Sequence, residues 1–360
     1  MDRIAVLTSG GDAPGMNAGI RAVVKVAASK GIACYGVERG YDGLIDGEFV
    51  ELTRVTPEGM VPVRGVQLAG NAGGTMLGSA RSNRFRDRAG RAAAAEQMLA
   101  SGIGGLVVIG GNGSLTGAHL LATETDVAVV GLPGSIDNDI GCTASAIGVD
   151  TALNTIVEAC DRIADTAQAH QRAFIVEVMG RSSGYLAMTA AVANAADGVL
   201  LPELSRSRDE ILANTSAMIL RAFASDRHKS QVLIIKAEGV DYPSNELARD
   251  LETNLEGTRV DVRSTVLGHV QRGGRPSSFD RMIAGRMGLV AVETLLAGGT
   301  DQMVAWQATV RGGEKSSDPQ LRLFPLDEVL AETRSMADGT SWVVRWRAQR
   351  MEAIHGVLAL

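Results

Sequence analysis

The feature that most constrains this chain is a set of short apolar runs, each of which breaks into a loop of glycines and acids. Arg3-Ile4-Ala5-Val6-Leu7 leads to Thr8-Ser9-Gly10-Gly11-Asp12. Leu106 to Ile109 leads to Gly110-Gly111-Asn112-Gly113-Ser114, and Val127 to Val130 to Gly131-Leu132-Pro133-Gly134. Aliphatic runs of four or five residues without polar alternation fit strands covered on both faces, and the stretches between them carry Ala/Leu helical patterns. That succession predicts βαβ units and a parallel sheet whose strand-end loops all lie along one edge, where open α/β folds bind ligands. A helix is expected from about Asn17 to Ala28, with Asn17 as N-cap and Lys30-Gly31 as its stop. Another begins near Leu115. Phe174 to Val178 and Val232 to Ile235 repeat the style and run into Met179-Gly180-Arg181 and Lys236-Ala237-Glu238-Gly239. The expected fold class is therefore α/β: two three-layer lobes with mainly parallel sheets and an active site in the cleft between them. The tail from Pro325 reads as two helices broken at Asp338-Gly339. Trp342 and Trp346, four apart on one helical face, read as packing anchors.

Aromatic residues make up only 4% of the 360 residues, so the core must be built from Val, Ile, Leu and Ala. The 43 glycines cluster at strand ends, where sharp turns and close backbone approach to a ligand need them. A formal net charge of −6 argues against nucleic acid or an acidic membrane as partner, while leaving room for a local basic pocket. Cys34, Cys142 and Cys160 are odd in number and lack metal-ligand spacing, so they read as reduced thiols. No apolar stretch approaches the roughly 18 residues of a membrane span, and the first strand follows the N-terminus with no signal pattern. The expectation is a soluble, cytoplasmic protein.

The loops carry the chemistry. Glycines between a strand end and a helix N-terminus let backbone N–H groups converge on a phosphate while side chains stay clear. Thr8 to Asn17 and Gly110 to Ser114 both have this form; a tight turn without ligand is the plainer alternative. Gly131-Leu132-Pro133-Gly134-Ser135-Ile136-Asp137-Asn138-Asp139 adds two carboxylates at i and i+2. Phosphoryl transfer to a hydroxyl wants one carboxylate for the proton and another near Mg²⁺, though an Asx-type turn with solvated acids would look similar. Arg81, Arg172, Arg181, Arg263 and Arg272 stand in loops or at strand ends. Their guanidinium forks suit phosphate oxygens, and surface ion pairs equally. His269 lies between a strand and a glycine turn.

The strings at residues 8–17, 78–81, 110–114, 131–139, 170–181 and 265–274 resemble, in order, those of the 6-phosphofructokinase family, across about residues 1 to 285. The resemblance implies a two-lobed sugar kinase that moves the γ-phosphoryl of ATP to the 1-hydroxyl of fructose 6-phosphate with Mg²⁺. It implies an ATP lobe of residues 1–148 plus about 271–320, and a sugar-phosphate lobe of 149–270 plus about 321–360. By motif, Gly11, Tyr41, Arg81, Ser82, Gly111, Asn112, Gly113 and Ser114 would hold the nucleotide. Asp137 would be the general base, with Ser135 and Asp139 beside it, and Arg181 would stabilise the transferring charge. Met179, Gly180, Glu238, His269 and Arg272 would bind the sugar phosphate. Arg172 and Arg263 would reach a neighbouring subunit's sugar phosphate, in a homotetramer or homodimer with shared active sites.

Pyrophosphate-using relatives carry Asp where this chain has Gly113 and Lys where it has Gly134, so small residues at both favour ATP. Asn112 replaces the usual metal-associated Asp; if it holds Mg²⁺, with Asp137 or Asp139 further out, it does so one charge short. The family's effector pocket is matched by Arg21, Lys25, Arg54, Arg227 and Lys229, but Ala164 and Ala195 replace an arginine and a glycine. Two rival readings share the fold: a pyrophosphate-dependent or other-sugar-phosphate kinase, and a catalytically weak regulatory subunit.

Overall fold

Buried aliphatic runs become strands here because branched side chains pack well on a pleated surface covered on both faces. A computed structural model of the chain describes residues 1–170, 172–224, 229–258 and 260–358, with 351–358 described by their backbone alone. In chain order it runs β1 (Arg3–Ser9), α1 (Met16–Ser29), β2 (Ala33–Val37), α2 (Gly40–Asp46), β3 (Phe49–Glu51), β4 (Thr53–Thr56), β5 (Gly59–Pro62) and α3 (Arg64–Ala69). It continues α4 (Arg88–Ala100), β6 (Gly105–Gly110), α5 (Asn112–Glu124), β7 (Ala128–Pro133), α6 (Val149–His170), β8 (Arg172–Val178), α7 (Tyr185–Ala193), β9 (Gly198–Leu200) and α8 (Arg208–Ala222). Then follow β10 (Val232–Ala237), α9 (Ser244–Asn254), β11 (Asp261–Val266), α10 (Ser278–Leu296), β12 (Gln302–Trp306), β13 (Glu314–Lys315), β14 (Leu321–Pro325), α11 (Leu326–Ala337) and α12 (Trp342–Leu358).

The chain divides into two units: Met1–Thr151 with Arg272–Ser335, and Ala152–Gln271 with Met336–Leu360. The first is built on an eight-stranded sheet of order β13-β14-β12-β7-β6-β1-β2-β3. Its five central strands are parallel, and β3, β14 and β13 add antiparallel edges. The register fixes the function of this sheet: Ser9 pairs with Gly110, and Gly110 with Pro133. Three glycine-rich loops therefore leave the sheet at one level. Ile4 to Leu7 and Leu106 to Ile109 are fully buried. Each Val, Ile or Leu among them contributes about 1.5–3 kcal/mol, which is what holds those loop origins in place.

The second unit has a four-stranded, all-parallel sheet of order β11-β8-β10-β9. Ile175, Ile234, Leu247, Leu251 and Val262 are among the buried residues packing β8, β10 and β11 against α9. Among the described residues no helix is long and apolar enough to cross a membrane.

Three expectations need correction. The second segment of the first unit runs to Ser335 rather than about 320, because β14 pairs with β12 over Gln302 to Trp306 and brings α11 with it. Asn17 does not cap α1: Gly15 occupies that place, and Asn17 is buried two residues further on, within the first turn. Trp342 and Trp346 are 51% and 47% exposed. Their spacing put them on one face of α12, but the face about 100° round the helix, with buried Val343 and with Arg347 stacked 4.5 Å over Tyr185, packs inward.

Candidate active site

In the first unit the strand-end loops frame a pocket of about 580 Å³, a size that suits a small-molecule ligand. Ser9, Gly10, Gly11, Gly111, Asn112, Gly113, Gly134 and Ser135 line it, and Asn112 and Gly113 open α5 there, at the helix end where N–H groups lack intrahelical partners. Arg81 stands exposed on its wall with Arg86, Phe85 and Leu120. The Arg272 guanidinium donates to the Asp12 carbonyl at 3.0 Å, and a Cβ on Gly11 would lie 2.9 Å from its Nη1. Arg272, expected with the sugar-phosphate residues, thus sits in this unit beside the first glycine loop.

Two expected nucleotide residues build the wall rather than offering a free group. The Tyr41 hydroxyl donates to the Ser114 carbonyl at 2.6 Å, and its ring stacks on Phe85 at 3.9 Å. Burial pushes the Tyr41 phenol well up, so it stays a donor. The Ser82 hydroxyl donates to Asp42 at 2.5 Å and accepts from the Phe85 amide at 3.1 Å. The loop carrying Arg81 is in turn held by Asn17, whose side chain bonds the Ala72 and Gly73 carbonyls and the Met76 amide.

The third loop explains how two acids come to face one pocket. Asn138, between them, is buried at positive φ (48°), donates to the Ala144 carbonyl and accepts from the Ala146 amide. With Asn138 turned inward, Asp137 and Asp139 both line the pocket. The Asp137 amide donates to Ser135 Oγ at 3.2 Å. Asn112 Nδ2 donates to Asp139 Oδ2 at 2.9 Å, and this contact sets the amide's orientation, since the reverse would press two acceptors together. Asn112 Oδ1 is then buried with no hydrogen-bond partner among the described residues. A neutral oxygen left unbonded beside two carboxylates fits a divalent cation's hard-oxygen preference.

Gly113 opens on empty space, as the steric argument for a nucleotide requires. Gly134 differs: a Cβ there would press Ile109 and Met16 at 3.2 Å, so its smallness serves the core as much as the pocket.

The remaining site residues lie in the second unit. Gly180 has φ of 126°, and a Cβ there would meet the Ser183 carbonyl at 2.2 Å, so only glycine fits. Its loop abuts that of Glu238: the Glu238 amide donates to Val178 at 2.8 Å, and Gly239 packs on the Arg181 carbonyl. The Met179 amide donates to the side chain of buried Gln271 at 3.1 Å, and Gln271 also holds the Gly268 carbonyl, the turn of His269. Arg181, Glu238 and His269 are exposed. Arg172 and Arg263 share one carboxylate: Asp261 accepts from Arg172 at 2.6 Å and pairs with Arg263 at 2.8 Å. Of the effector-pocket matches, Arg21 bonds Asn71, Lys229 is taken by Asp197, and Arg227 lies outside the described residues, as does Gln171 of the fifth string.

Sequence reasoning missed Asn17, Asn138 and Gln271, whose side chains shape loops without facing ligand. It also missed Phe85, which scarcity of aromatics could have flagged.

A family model described as Phosphofructokinase matches residues 3–295. The ATP-dependent 6-phosphofructokinase of Thermotoga neapolitana is 48% identical over 311 residues, 85% of this chain and 90% of its own. That of Thermotoga petrophila is 47% identical with the same coverage. Among solved structures, phosphofructokinase from Saccharomyces cerevisiae superposes with a TM-score of 0.81 at 34% identity, over 98% of this chain; this chain spans about half (48%) of that one.

Proposed function

The chain belongs to the phosphofructokinase family, and we propose how its residues divide the work of that reaction. It is an ATP-dependent 6-phosphofructokinase, a phosphotransferase that moves the γ-phosphoryl of ATP to the 1-hydroxyl of fructose 6-phosphate in glycolysis. The observation that supports the residue roles best is the in-register origin of three loops around one pocket that holds two acids and three arginines.

The glycine loops at Gly11 and Gly111 to Ser114 cradle phosphates through backbone N–H groups, as their strand-end position favours. Phe85 and Leu120 give the pocket an apolar wall for a base, and Arg81 a charge at its edge. Asp137 accepts the proton of the acceptor hydroxyl, with Ser135 and Asp139 beside it. Arg181 and Arg272 oppose the charge that spreads over the transferring oxygens. Met179, Gly180, Glu238 and His269 hold the sugar phosphate. Arg172 and Arg263, joined by Asp261, serve a neighbouring subunit's sugar phosphate in a homodimer or homotetramer, working in the cytoplasm.

Asn112 Oδ1 and Asp139, with Asp137 near, would hold Mg²⁺. When bound it neutralises phosphate charge and polarises the phosphoryl group. Asn112 contributes a carbonyl oxygen and, through its amide, fixes the Asp139 carboxylate.

The test is product identity. Purified protein with ATP and fructose 6-phosphate should give a ³¹P resonance for a phosphate ester on C1 in step with ADP. A phosphate on any other position, or ATP hydrolysis alone, would overturn the reading.

A further inference from the structure

Five of the six residues of β10, Val232 to Ile235 and Ala237, are apolar and buried; the sixth is Lys236, only 1% exposed. It is among the largest fully buried side chains of the described residues. Its register partner on β8 is Glu177, and the ammonium reaches that carboxylate at 3.0 Å. The same oxygen accepts the Ser244 hydroxyl, from the first turn of α9, at 2.5 Å. Lys236 Nζ also donates to the Ala237 carbonyl at 3.3 Å, which the Val240 amide shares.

We propose that the Lys236–Glu177–Ser244 cluster is a positioning device for the acceptor site, setting the three loops that hold the sugar phosphate. This rests on the reading of those loops given above. The cluster lies one layer beneath them. Glu177 is two residues before Met179, and Lys236 two before Glu238. The main-chain carbonyl of Glu177 accepts from Leu267 at 3.0 Å, where β11 passes into the turn of His269. Every loop assigned to the acceptor in this unit thus departs from a strand end tied to Glu177 or Lys236. The bond from Lys236 to Ala237 fixes the first peptide of the Glu238 turn directly.

Stability does not account for the cluster. With Lys236 1% and Glu177 18% exposed, the pair gives up most of the hydration of both charges, and apolar replacements of similar volume at such pairs are often neutral or stabilising. The rest of β10 is apolar, so a methionine at 236 would continue the pattern. What charges provide there is direction: an ammonium with two fixed acceptors permits one arrangement of β8, β10 and α9, where hydrocarbon would accept several. Sub-ångström definition matters where a substrate is set for reaction, since a misplacement of about 1 Å can cost on the order of 100-fold in rate.

The test compares wild type with Lys236→Met/Glu177→Leu, which removes both charges together. Melting temperature and the dissociation constants of ATP and fructose 6-phosphate would be measured by scanning and titration calorimetry. The expected result is a melting temperature equal to or above wild type, an ATP constant within 2-fold, and a fructose 6-phosphate constant raised at least ~10-fold. An unchanged fructose 6-phosphate constant, or equal losses for both ligands, would overturn the proposal. Should the double variant fail to fold, Ser244→Ala carries the same test: its melting temperature should hold while the sugar-phosphate constant rises several-fold, and an unmoved constant would refute the role. Wild type that binds ATP but not fructose 6-phosphate would overturn the acceptor reading itself, and this role with it.

Discussion

Replacing Asn112 by aspartate changes almost no volume and one full charge, at a place where the structure defines the neighbour. Asn112 Nδ2 donates to Asp139 Oδ2 at 2.9 Å. In Asn112→Asp a carboxylate oxygen takes the donor's place, so a hydrogen bond becomes a like-charge contact. Two unit charges at that separation repel by between about 1 and 6 kcal/mol as the effective dielectric falls from water's value to that near a protein surface. Both side chains are only partly buried, which favours the lower half; about 2 kcal/mol is a working figure once the lost bond is added. The ligand-free variant should therefore melt several degrees below wild type in chelator. A divalent cation relieves the repulsion, so Mg²⁺ should recover more stability in the variant than in wild type. In the assay, a Mg²⁺ titration of initial rate at fixed ATP should show a lower half-maximal concentration for the variant with kcat maintained or raised. Equal melting in chelator and an equal Mg²⁺ response would refute the contact's importance. A weaker Mg²⁺ response with a raised ATP KM would refute the metal assignment and point instead to an amide that serves a phosphate oxygen.

Three further substitutions test the other roles. Asp137→Asn should lower kcat by roughly 10²- to 10⁴-fold while the sugar-phosphate KM stays within several-fold; a near-normal kcat would place the base elsewhere. Gly11→Ala puts a methyl 2.9 Å from the Arg272 guanidinium, the mobile end of a long side chain. Thermal melting should be little changed while the ATP KM rises at least ~10-fold; a normal KM would remove Gly11 from the phosphate cradle. Arg263→Ala should raise the fructose 6-phosphate KM strongly and disturb ATP little, and sedimentation of wild type as an active monomer would end the idea of a shared site.

How much of this was legible in the sequence follows from what each signal reports. Aliphatic runs before glycine loops located five strands, β1, β6 and β7 in the first sheet and β8 and β10 in the second, since burial on both faces leaves no polar alternation to confuse them; the remaining strands carry no such run and loop. Periodicity does not say which side of a helix is covered, and so Trp342 and Trp346 were placed inward when Val343 and Arg347 fill that side. Nor does it report long-range pairing: that β14 closes onto β12, and keeps α11 in the first unit, depends on a hydrogen-bonded ladder invisible in either segment alone. At the site, residues bearing charge or glycine flexibility were found because their chemistry is local. Those that act by holding a loop, such as Asn17, Asn138 and Gln271, were not, because an amide side chain shows its purpose only through distant partners. Arg272 was grouped with the sugar by its motif, and its place beside the first glycine loop, through its contact with Asp12, was not legible there.

The central claim is that the pocket is built for a nucleotide donor, with Gly113 leaving the space that a larger side chain would fill. Its most direct test is kcat/KM for ATP and for pyrophosphate, measured side by side with saturating fructose 6-phosphate and Mg²⁺. ATP should win by at least ~10-fold, about 1.4 kcal/mol of transition-state binding. Equal or faster turnover with pyrophosphate would contradict the account.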